Sequence, residues 1–276
     1  MTSTPHRLRG LVDACHPGPT ATVTLVVSAL AAAAGRDAVG VALMAAATLT
    51  GQLSVGWGND AYDADRDARA AREAKPTVRG DVSATLLWCA AAVALASTIL
   101  LSYVAAGRIG GTAHVVAVAS AWTYNLVLKT TVLSPLPYVV SFGLVPAFVT
   151  YGLTPAVAPA TWVTATCVLL GVGAHLANAI PDVADDEHVG AGGLVARIGV
   201  RASTWLALLC LVAAVAVLAP HLGASPAVAV ALVVAAGAGA VGVAVLGRGQ
   251  ALFRYVLLLA LVAVLGLVVA ARAITA

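Results

Sequence analysis

Long apolar runs dominate the sequence. Polar residues, proline and glycine divide them into nine runs, most of them about 20 residues long. The runs are continuously apolar and lack the alternation of spanning strands, so we predict helices that cross a membrane. Only 10% of the residues are charged, against about 25% in a soluble domain. The predicted spans are 20–34, 38–57, 84–106, 109–128, 136–154, 159–180, 202–219, 225–246 and 252–274.

The fold class that follows is an all-α membrane protein with about nine transmembrane helices. The first run is short for a span, so we expect its helix to extend past Gly35 or to begin nearer Pro17.

Lysine and arginine fall mostly on one side of the predicted membrane. With nine spans, 12 of the 15 basic residues share a side with the N-terminus, and only Arg36, Arg108 and Arg272 lie opposite. Since short cytoplasmic loops carry the excess of Lys and Arg, we predict a multi-pass protein of the cell membrane with a cytoplasmic N-terminus. The basic residues on that side are Arg7, Arg9, Arg66, Arg69, Arg72, Lys75, Arg79, Lys129, Arg197, Arg201, Arg248 and Arg254.

Acidic residues cluster at two connections on the same predicted side. Ten of the 12 follow the second or the sixth run. The first cluster reads Asn59-x-x-x-Asp63-x-x-x-Asp67, and the second reads Asn178-x-x-x-Asp182-x-x-x-Asp186. At about 100° per residue a step of four returns to nearly the same helix face, so each trio forms one stripe. Asp65 and Glu187 fall off the stripes, and for these two we expect a solvated face.

Carboxylate and amide oxygens without thiols suit a hard cation. Mg²⁺ is typically held by one or two carboxylates together with substrate phosphates. Two facing stripes could therefore hold a Mg²⁺-bound diphosphate, with cations nearby to neutralise the departing charge and an apolar interior for a hydrocarbon tail. The candidate diphosphate-binding cations are Arg72, Lys75, Arg79, Lys129 and Arg197.

These motifs resemble those of the UbiA superfamily of intramembrane prenyltransferases. The stretch "NDAYDADRD", followed by "KP" and "RG", is similar to the family's Asn-Asp-x-x-Asp-x-x-x-Asp motif. The stretch "DVADD", followed by Gly190 and "GLVARIG", is similar to its second Asp-x-x-x-Asp motif. The likeness extends to "YNLVLKTTVLSPLPYVVSFGLVPAF" and "HPGPT" and covers most of the chain. It implies one domain over residues 1–276, with nine helices around a central apolar cavity that opens to the cytoplasm.

The resemblance also implies residue roles. Family members ionise an allylic prenyl diphosphate at a Mg²⁺ site, and the carbocation alkylates an acceptor that is commonly aromatic. The candidate catalytic residues are Asp67, Tyr124 and Lys129, although the family's Tyr-x-x-x-Lys is one residue longer here, as Tyr124-x-x-x-x-Lys129. By match, the metal-binding set is Asn59, Asp63, Asp67, Asp182 and Asp186.

Two aromatic positions and one histidine have competing interpretations. His175 could hydrogen-bond a motif carboxylate or the acceptor, or it could pack as a neutral histidine against a neighbouring helix. Tyr124 and Trp122 could stabilise a carbocation through their ring faces. Aromatic residues at span ends also serve as interface anchors.

Three functions compete. A Mg²⁺-dependent prenyltransferase would bind a prenyl diphosphate, an aromatic or lipid acceptor and membrane lipid, with no nucleic-acid partner. A UbiA-type terpene cyclase would use the same ionisation but quench the cation within its own chain. A secondary transporter also places carboxylates in membranes, but it binds near the midplane, whereas these acids lie at one surface. We favour prenyl transfer.

Overall fold

The computed structural model describes residues 4–180, 183, 192–246 and 249–270. Within these ranges every regular element is helical, as continuous apolar runs predict. We number the α-helices of these ranges in chain order. They are α1 (Thr4–Ala14), α2 (Pro17–Ala33), α3 (Ala38–Arg69), α4 (Ala84–Thr123), α5 (Leu136–Gly143), α6 (Val145–Thr150), α7 (Thr161–Ala179), α8 (Leu194–Leu218), α9 (Pro226–Leu246) and α10 (Gly249–Val269).

Each predicted apolar run lies on helix in the described part of the chain, which confirms the count of nine. The first run begins at Pro17, whose fixed φ suits the first helical turn. The third and fourth runs are two arms of α4, which breaks at Gly107 with φ of 64°. Glycine is suited to this position because it has no Cβ to clash at positive φ. The fifth run is divided between α5 and α6.

Four helical stretches in the described ranges are long and apolar enough to cross a membrane, and further apolar helices are shorter. Membrane crossing and the cytoplasmic N-terminus stay predictions. The four stretches are Ala38–Arg69, Ala84–Leu128, Thr161–Ala179 and Leu194–His221.

Helix α3 continues well beyond the predicted span 38–57 and carries the first acidic motif. It begins at a capping aspartate, since the Asp37 carboxylate accepts a hydrogen bond from the main-chain N–H of Gly40 at 2.8 Å. Residues 59–69 contain neither glycine nor proline, so nothing in the sequence stops the helix there. The chain reverses just after Arg69, where Ala71 adopts φ of 49°.

The far ends of α3 and α4 pack closely. A Cβ on Gly58 would lie 2.3 Å from the Trp122 ring, so only glycine fits this approach. The Trp122 indole donates a hydrogen bond to the Ser54 hydroxyl at 3.3 Å. This contact holds the end of α3 against the end of α4, the region to which both helices bring their polar residues.

Candidate active site

Three aspartates of the first motif form one buried face at the end of α3. The exposed fractions of Asp60, Asp63 and Asp67 are 1%, 5% and 1%. Steps of three and seven residues return to nearly the same side of a helix, which explains why all three point inward. Asp65 is exposed, as expected for a residue that does not belong to the stripe.

Each buried aspartate is paired with a cation. The Lys75 ammonium lies 2.7 Å from Asp60 Oδ1, and the Lys129 ammonium lies 2.5 Å from both oxygens of Asp63. Arginines complete the cluster. Arg66 Nη2 lies 3.0 Å from Asp63 Oδ2, and Arg72 Nη1 lies 3.3 Å from Asp67 Oδ1.

The loop after α3 supplies two of these cations because it folds back over the helix end. Ala71 has a left-handed backbone conformation, which reverses the chain. The main-chain N–H of Arg72 then donates to the Asp67 carbonyl at 3.1 Å. Successive turns bring Lys75 over Asp60. The acidic helix end and the basic loop therefore form one unit.

Two carboxylate oxygens in this cluster take part in none of these ion pairs. Asp60 Oδ2 and Asp67 Oδ2 are buried and have no hydrogen-bond partner among the described residues. Buried acceptors are nearly always satisfied, so these two oxygens are available to a cation or a hydrogen-bond donor. Hard oxygen donors fit Mg²⁺.

Across the described ranges no three Asp, Glu, His or Cys side chains are close enough to hold a metal by themselves. A Mg²⁺ ion that is shared with substrate phosphates does not need such a cage. Asp182 and Asp186, the second half of the predicted metal-binding set, lie outside the described residues.

A π-helical turn, Tyr124–Leu128, links α4 to Lys129. The main-chain N–H of Lys129 bonds to the Tyr124 carbonyl at 3.0 Å, a step of five residues. One extra residue is therefore absorbed in a single turn. Tyr124 and Lys129 are one turn apart along the helix, as residues four apart would be in an α-helix.

Two hydrogen bonds with α3 hold this π turn in place. The Asn125 amide donates to the Val55 carbonyl at 3.0 Å, and the Tyr62 hydroxyl donates to the Leu126 carbonyl at 3.1 Å. The Lys129 ammonium lies 5.3 Å from the centre of the Tyr62 ring, within cation–π range. Burial lowers the pKa of Lys129, and the hydrogen bonds to Asp63 partly oppose that effect.

His175 packs among aromatic rings and does not contact a described carboxylate. It is 2% exposed, and its Nε2 lies 3.0 Å from the Ser134 hydroxyl. The rings of Tyr124 and Tyr138 lie 5.7 Å and 4.6 Å from its own, measured between centres. Tyr124, the first residue of the π turn, thus lies in an aromatic cluster.

Other predicted site residues lie further from the buried face. Arg79 is held by Asp13 at 2.6 Å and Asp81 at 2.7 Å. Arg197 is exposed near the start of α8. Asn59 is half-buried, with its amide 3.4 Å from Asp60 Oδ1.

Several site residues were missed by the sequence analysis. Asp60 was left out of the metal-binding set although it belongs to the first motif. It is seven residues before Asp67, so both side chains point to nearly the same side of α3. His16 Nε2 lies 3.1 Å from Asp60 Oδ1, and no local pattern could show a contact across 44 positions. Arg66 and Tyr62 could have been found, since both lie within a turn of Asp63.

Two of these residues also line a cleft of about 450 Å³ beside the buried face. Its walls include Tyr62, Asp63, Arg66, Asn125 and Lys129. The cleft leads from the surface to the carboxylate of Asp63.

The fold and the site define an all-helical apolar protein with a buried cluster of carboxylates and cations at one end. The model of the UbiA prenyltransferase family matches residues 21–251. The chain belongs to the UbiA prenyltransferase family.

Solved structures share the fold at low sequence identity. One is described as digeranylgeranylglyceryl phosphate synthase in membranes, with a TM-score of 0.68, 13% identity, and coverage of 97% of this chain and 99% of that one. A UbiA homologue from Archaeoglobus fulgidus bound to DMAPP and Mg²⁺ has a TM-score of 0.67, 13% identity, and coverage of 96% and 99%. An apo UbiA homologue from Aeropyrum pernix K1 has a TM-score of 0.65, 22% identity, and coverage of 98% and 99%. A search of the curated proteins found no match.

Proposed function

We propose that this protein is a Mg²⁺-dependent intramembrane prenyltransferase that moves a prenyl group from an allylic prenyl diphosphate to an aromatic or lipid acceptor. The observation that carries the proposal is a pair of buried carboxylate oxygens, on Asp60 and Asp67, that have no hydrogen-bond partner in the part of the chain that the structure describes. They lie within a cluster that also holds the cations of Lys75, Lys129 and Arg72. Such a cluster offers oxygen ligands to a metal and positive charge to a diphosphate.

The structural relatives support the choice of ligand. UbiA homologues from Archaeoglobus fulgidus have been solved with DMAPP and Mg²⁺ and with GPP and Mg²⁺. Their similarity to this chain, at 13% identity, establishes the fold. The assignment of a prenyl diphosphate to this chain therefore rests on its own carboxylates and cations.

In the proposed site, carboxylates and amides would hold the metal and cations would hold the diphosphate. A bound Mg²⁺ would neutralise negative charge on the leaving diphosphate. The residues proposed to hold Mg²⁺ are Asn59, Asp60, Asp63, Asp67, Asp182 and Asp186. The proposed diphosphate-binding residues are Arg66, Arg72, Lys75, Arg79, Lys129 and Arg197.

These cations would have to exchange partners when substrate binds. Lys129 is bonded to both oxygens of Asp63, so its ammonium would have to leave that carboxylate to reach the diphosphate. Arg79 would have to leave Asp13 and Asp81, so we expect its part to be smaller than that of Lys129.

Bond cleavage would leave an allylic carbocation and a free diphosphate. The carbon–oxygen bond electrons stay with the diphosphate, which the cations stabilise. The ring of Tyr124, at the start of the π turn, would face the carbocation. The acceptor then forms a bond to the allylic carbon and releases a proton. We propose that the site opens to the cytoplasm. The excess of Lys and Arg on one side of the predicted membrane assigns the first basic loop, which lies beside the site, to that compartment.

Product analysis tests the proposal. Membranes that contain the protein would be incubated with Mg²⁺ and geranyl, farnesyl or geranylgeranyl diphosphate, with and without lipid extract. Mass spectrometry would then identify the products. Prenylated acceptor that forms only with extract supports transfer. A cyclised hydrocarbon that forms without extract would assign the chain to the terpene cyclases.

A matched pair of variants makes the test specific to the buried face. Asp63→Asn should reduce diphosphate release by at least about 100-fold, because a metal ligand contributes several kcal/mol to the transition state. Asp65→Asn removes a carboxylate two residues away that is exposed, and it should stay within about twofold of wild type. Equal activity in the two variants would contradict the assigned site.

A further inference from the structure

A second cavity lies between α8 and α9, apart from the acidic site. Its volume is about 370 Å³, and it is lined by Arg201, Thr204 and Trp205 of α8 and by Ala244 and Val245 of α9. It shares no lining residue with the acidic cleft.

The cavity lies where the apolar parts of both helices end. Arg201 is followed by 17 residues without a charge, up to the end of α8 at Leu218. Helix α9 contains no charged residue and ends at Leu246, directly after Val245. Arginine and tryptophan at the end of an apolar helix are typical of the level of lipid headgroups.

Three hydrogen-bond donors of α8 meet at this cavity without partners among the described residues. Arg201 forms no ion pair there, and neither the Thr204 hydroxyl nor the Trp205 indole N–H forms a hydrogen bond. Thr204 as a whole residue is 8% exposed, whereas Arg201 and Trp205 are exposed at the surface. The described lining residues include no carboxylate. A guanidinium, a hydroxyl and an indole N–H at one cavity are donors that an anion can accept from.

The backbone of α8 adds to this preference. Gly199 has φ of 82° and ψ of 159°, which interrupts the helix just before Arg201. N–H groups at the start of a helical stretch have no carbonyl partner in the turn before it. These groups favour a negative charge nearby.

We propose that this cavity binds the phosphate group of an anionic phospholipid from the surrounding bilayer. The guanidinium of Arg201 would contact two phosphate oxygens, and the Thr204 hydroxyl and Trp205 indole would donate to the same group. A lipid is favoured over a soluble phosphate because the other wall is apolar and turned outward. Val245 on that wall is 67% exposed, in position to contact an acyl chain. Basic pockets between transmembrane helices bind lipid headgroups in this way.

Native mass spectrometry of the full chain tests this site. The protein would be purified in detergent and supplied with equal amounts of phosphatidylglycerol and phosphatidylcholine. Wild type should retain phosphatidylglycerol preferentially. Arg201→Gln should lower that retention about tenfold, the effect of one charge-assisted hydrogen bond. Arg69→Gln removes an exposed arginine from α3 and should leave retention unchanged.

Two further variants keep the test valid if Arg201→Gln fails to fold. Trp205→Phe keeps the ring and loses the N–H, and Thr204→Val keeps the shape and loses the hydroxyl, so each should lower retention a few-fold. The proposal is overturned if all folded variants retain phosphatidylglycerol as wild type does, or if phosphatidylcholine is retained equally. Displacement of the lipid by millimolar inorganic phosphate would show a site for soluble phosphate and would also overturn it.

Discussion

The ion pair between Asp63 and Lys129 gives the sharpest prediction. Removal of Asp63 should destabilise the protein more than removal of Lys129. The side chain of Lys129 is 12% exposed and that of Asp63 is 7% exposed. Removal of one partner from a buried pair costs about 3 to 5 kcal/mol. Asp63→Asn leaves the buried ammonium of Lys129 without a carboxylate, so we expect a loss of about 3 kcal/mol in the free energy of unfolding.

Lys129→Met should cost less. Asp63 keeps a second partner in this variant, because Arg66 lies 3.0 Å from Asp63 Oδ2. We expect a loss of about 1 kcal/mol, the usual value for one hydrogen bond. In the double variant no buried ammonium remains, so its loss should be close to that of Lys129→Met alone. The coupling between the two positions is then about 3 kcal/mol.

A double-mutant cycle measures this coupling. Unfolding of wild type, both single variants and the double variant would be followed in detergent with a metal chelator present. The chelator is needed because a metal bound to Asp63 would add its own stabilisation. Losses that simply add, or an Asp63→Asn variant as stable as wild type, would refute the idea that Lys129 depends on this carboxylate.

Three other predictions follow from the site and the topology. EDTA should stop the reaction, Mg²⁺ or Mn²⁺ should restore it and Zn²⁺ should serve poorly, because the proposed ligands are hard oxygens; full activity in chelator would rule out the metal. In a background without native cysteines, single cysteines at Ser83 and Gly192 should react with an impermeant thiol reagent only after the membrane is opened, and one at Ala224 should react from outside. Reaction of positions 83 and 192 from opposite sides would place the two acidic motifs on different faces. Deletion of Val127 in the π turn should preserve activity, whereas deletion of the exposed Ala119 in regular helix should abolish it; equal loss in both would contradict the register argument.

Much of the fold could be predicted because each helix follows from the pattern of apolar and polar residues within its own stretch of sequence. Apolar runs mark the helices, and the interruption at Gly107 and Arg108 marks the break of α4. The four-residue step from Asp63 to Asp67 likewise predicts a shared helix face, and both residues are buried on α3.

Long-range pairs could not be predicted in the same way. His16 meets Asp60 because α2 packs beside α3, and neither residue carries a signal for the other. The reversal that brings Lys75 over Asp60 begins at Ala71, which adopts a left-handed conformation without being glycine. Alanine rarely adopts this conformation, so sequence alone gives no reason to expect the turn there.

The spacing between Tyr124 and Lys129 shows how a departure in sequence can be absorbed by the backbone. In a regular α-helix a residue five positions further on is rotated by about 140°, which would turn Lys129 away from the side that Tyr124 faces. The π turn takes up the extra residue, as the bond from the Lys129 N–H to the Tyr124 carbonyl shows. Its cost is offset by two hydrogen bonds with α3, through Asn125 and Tyr62. The residues that hold the π turn are therefore on the same helix as the carboxylate that Lys129 must reach, so the turn and the ion pair to Asp63 should form or be lost together.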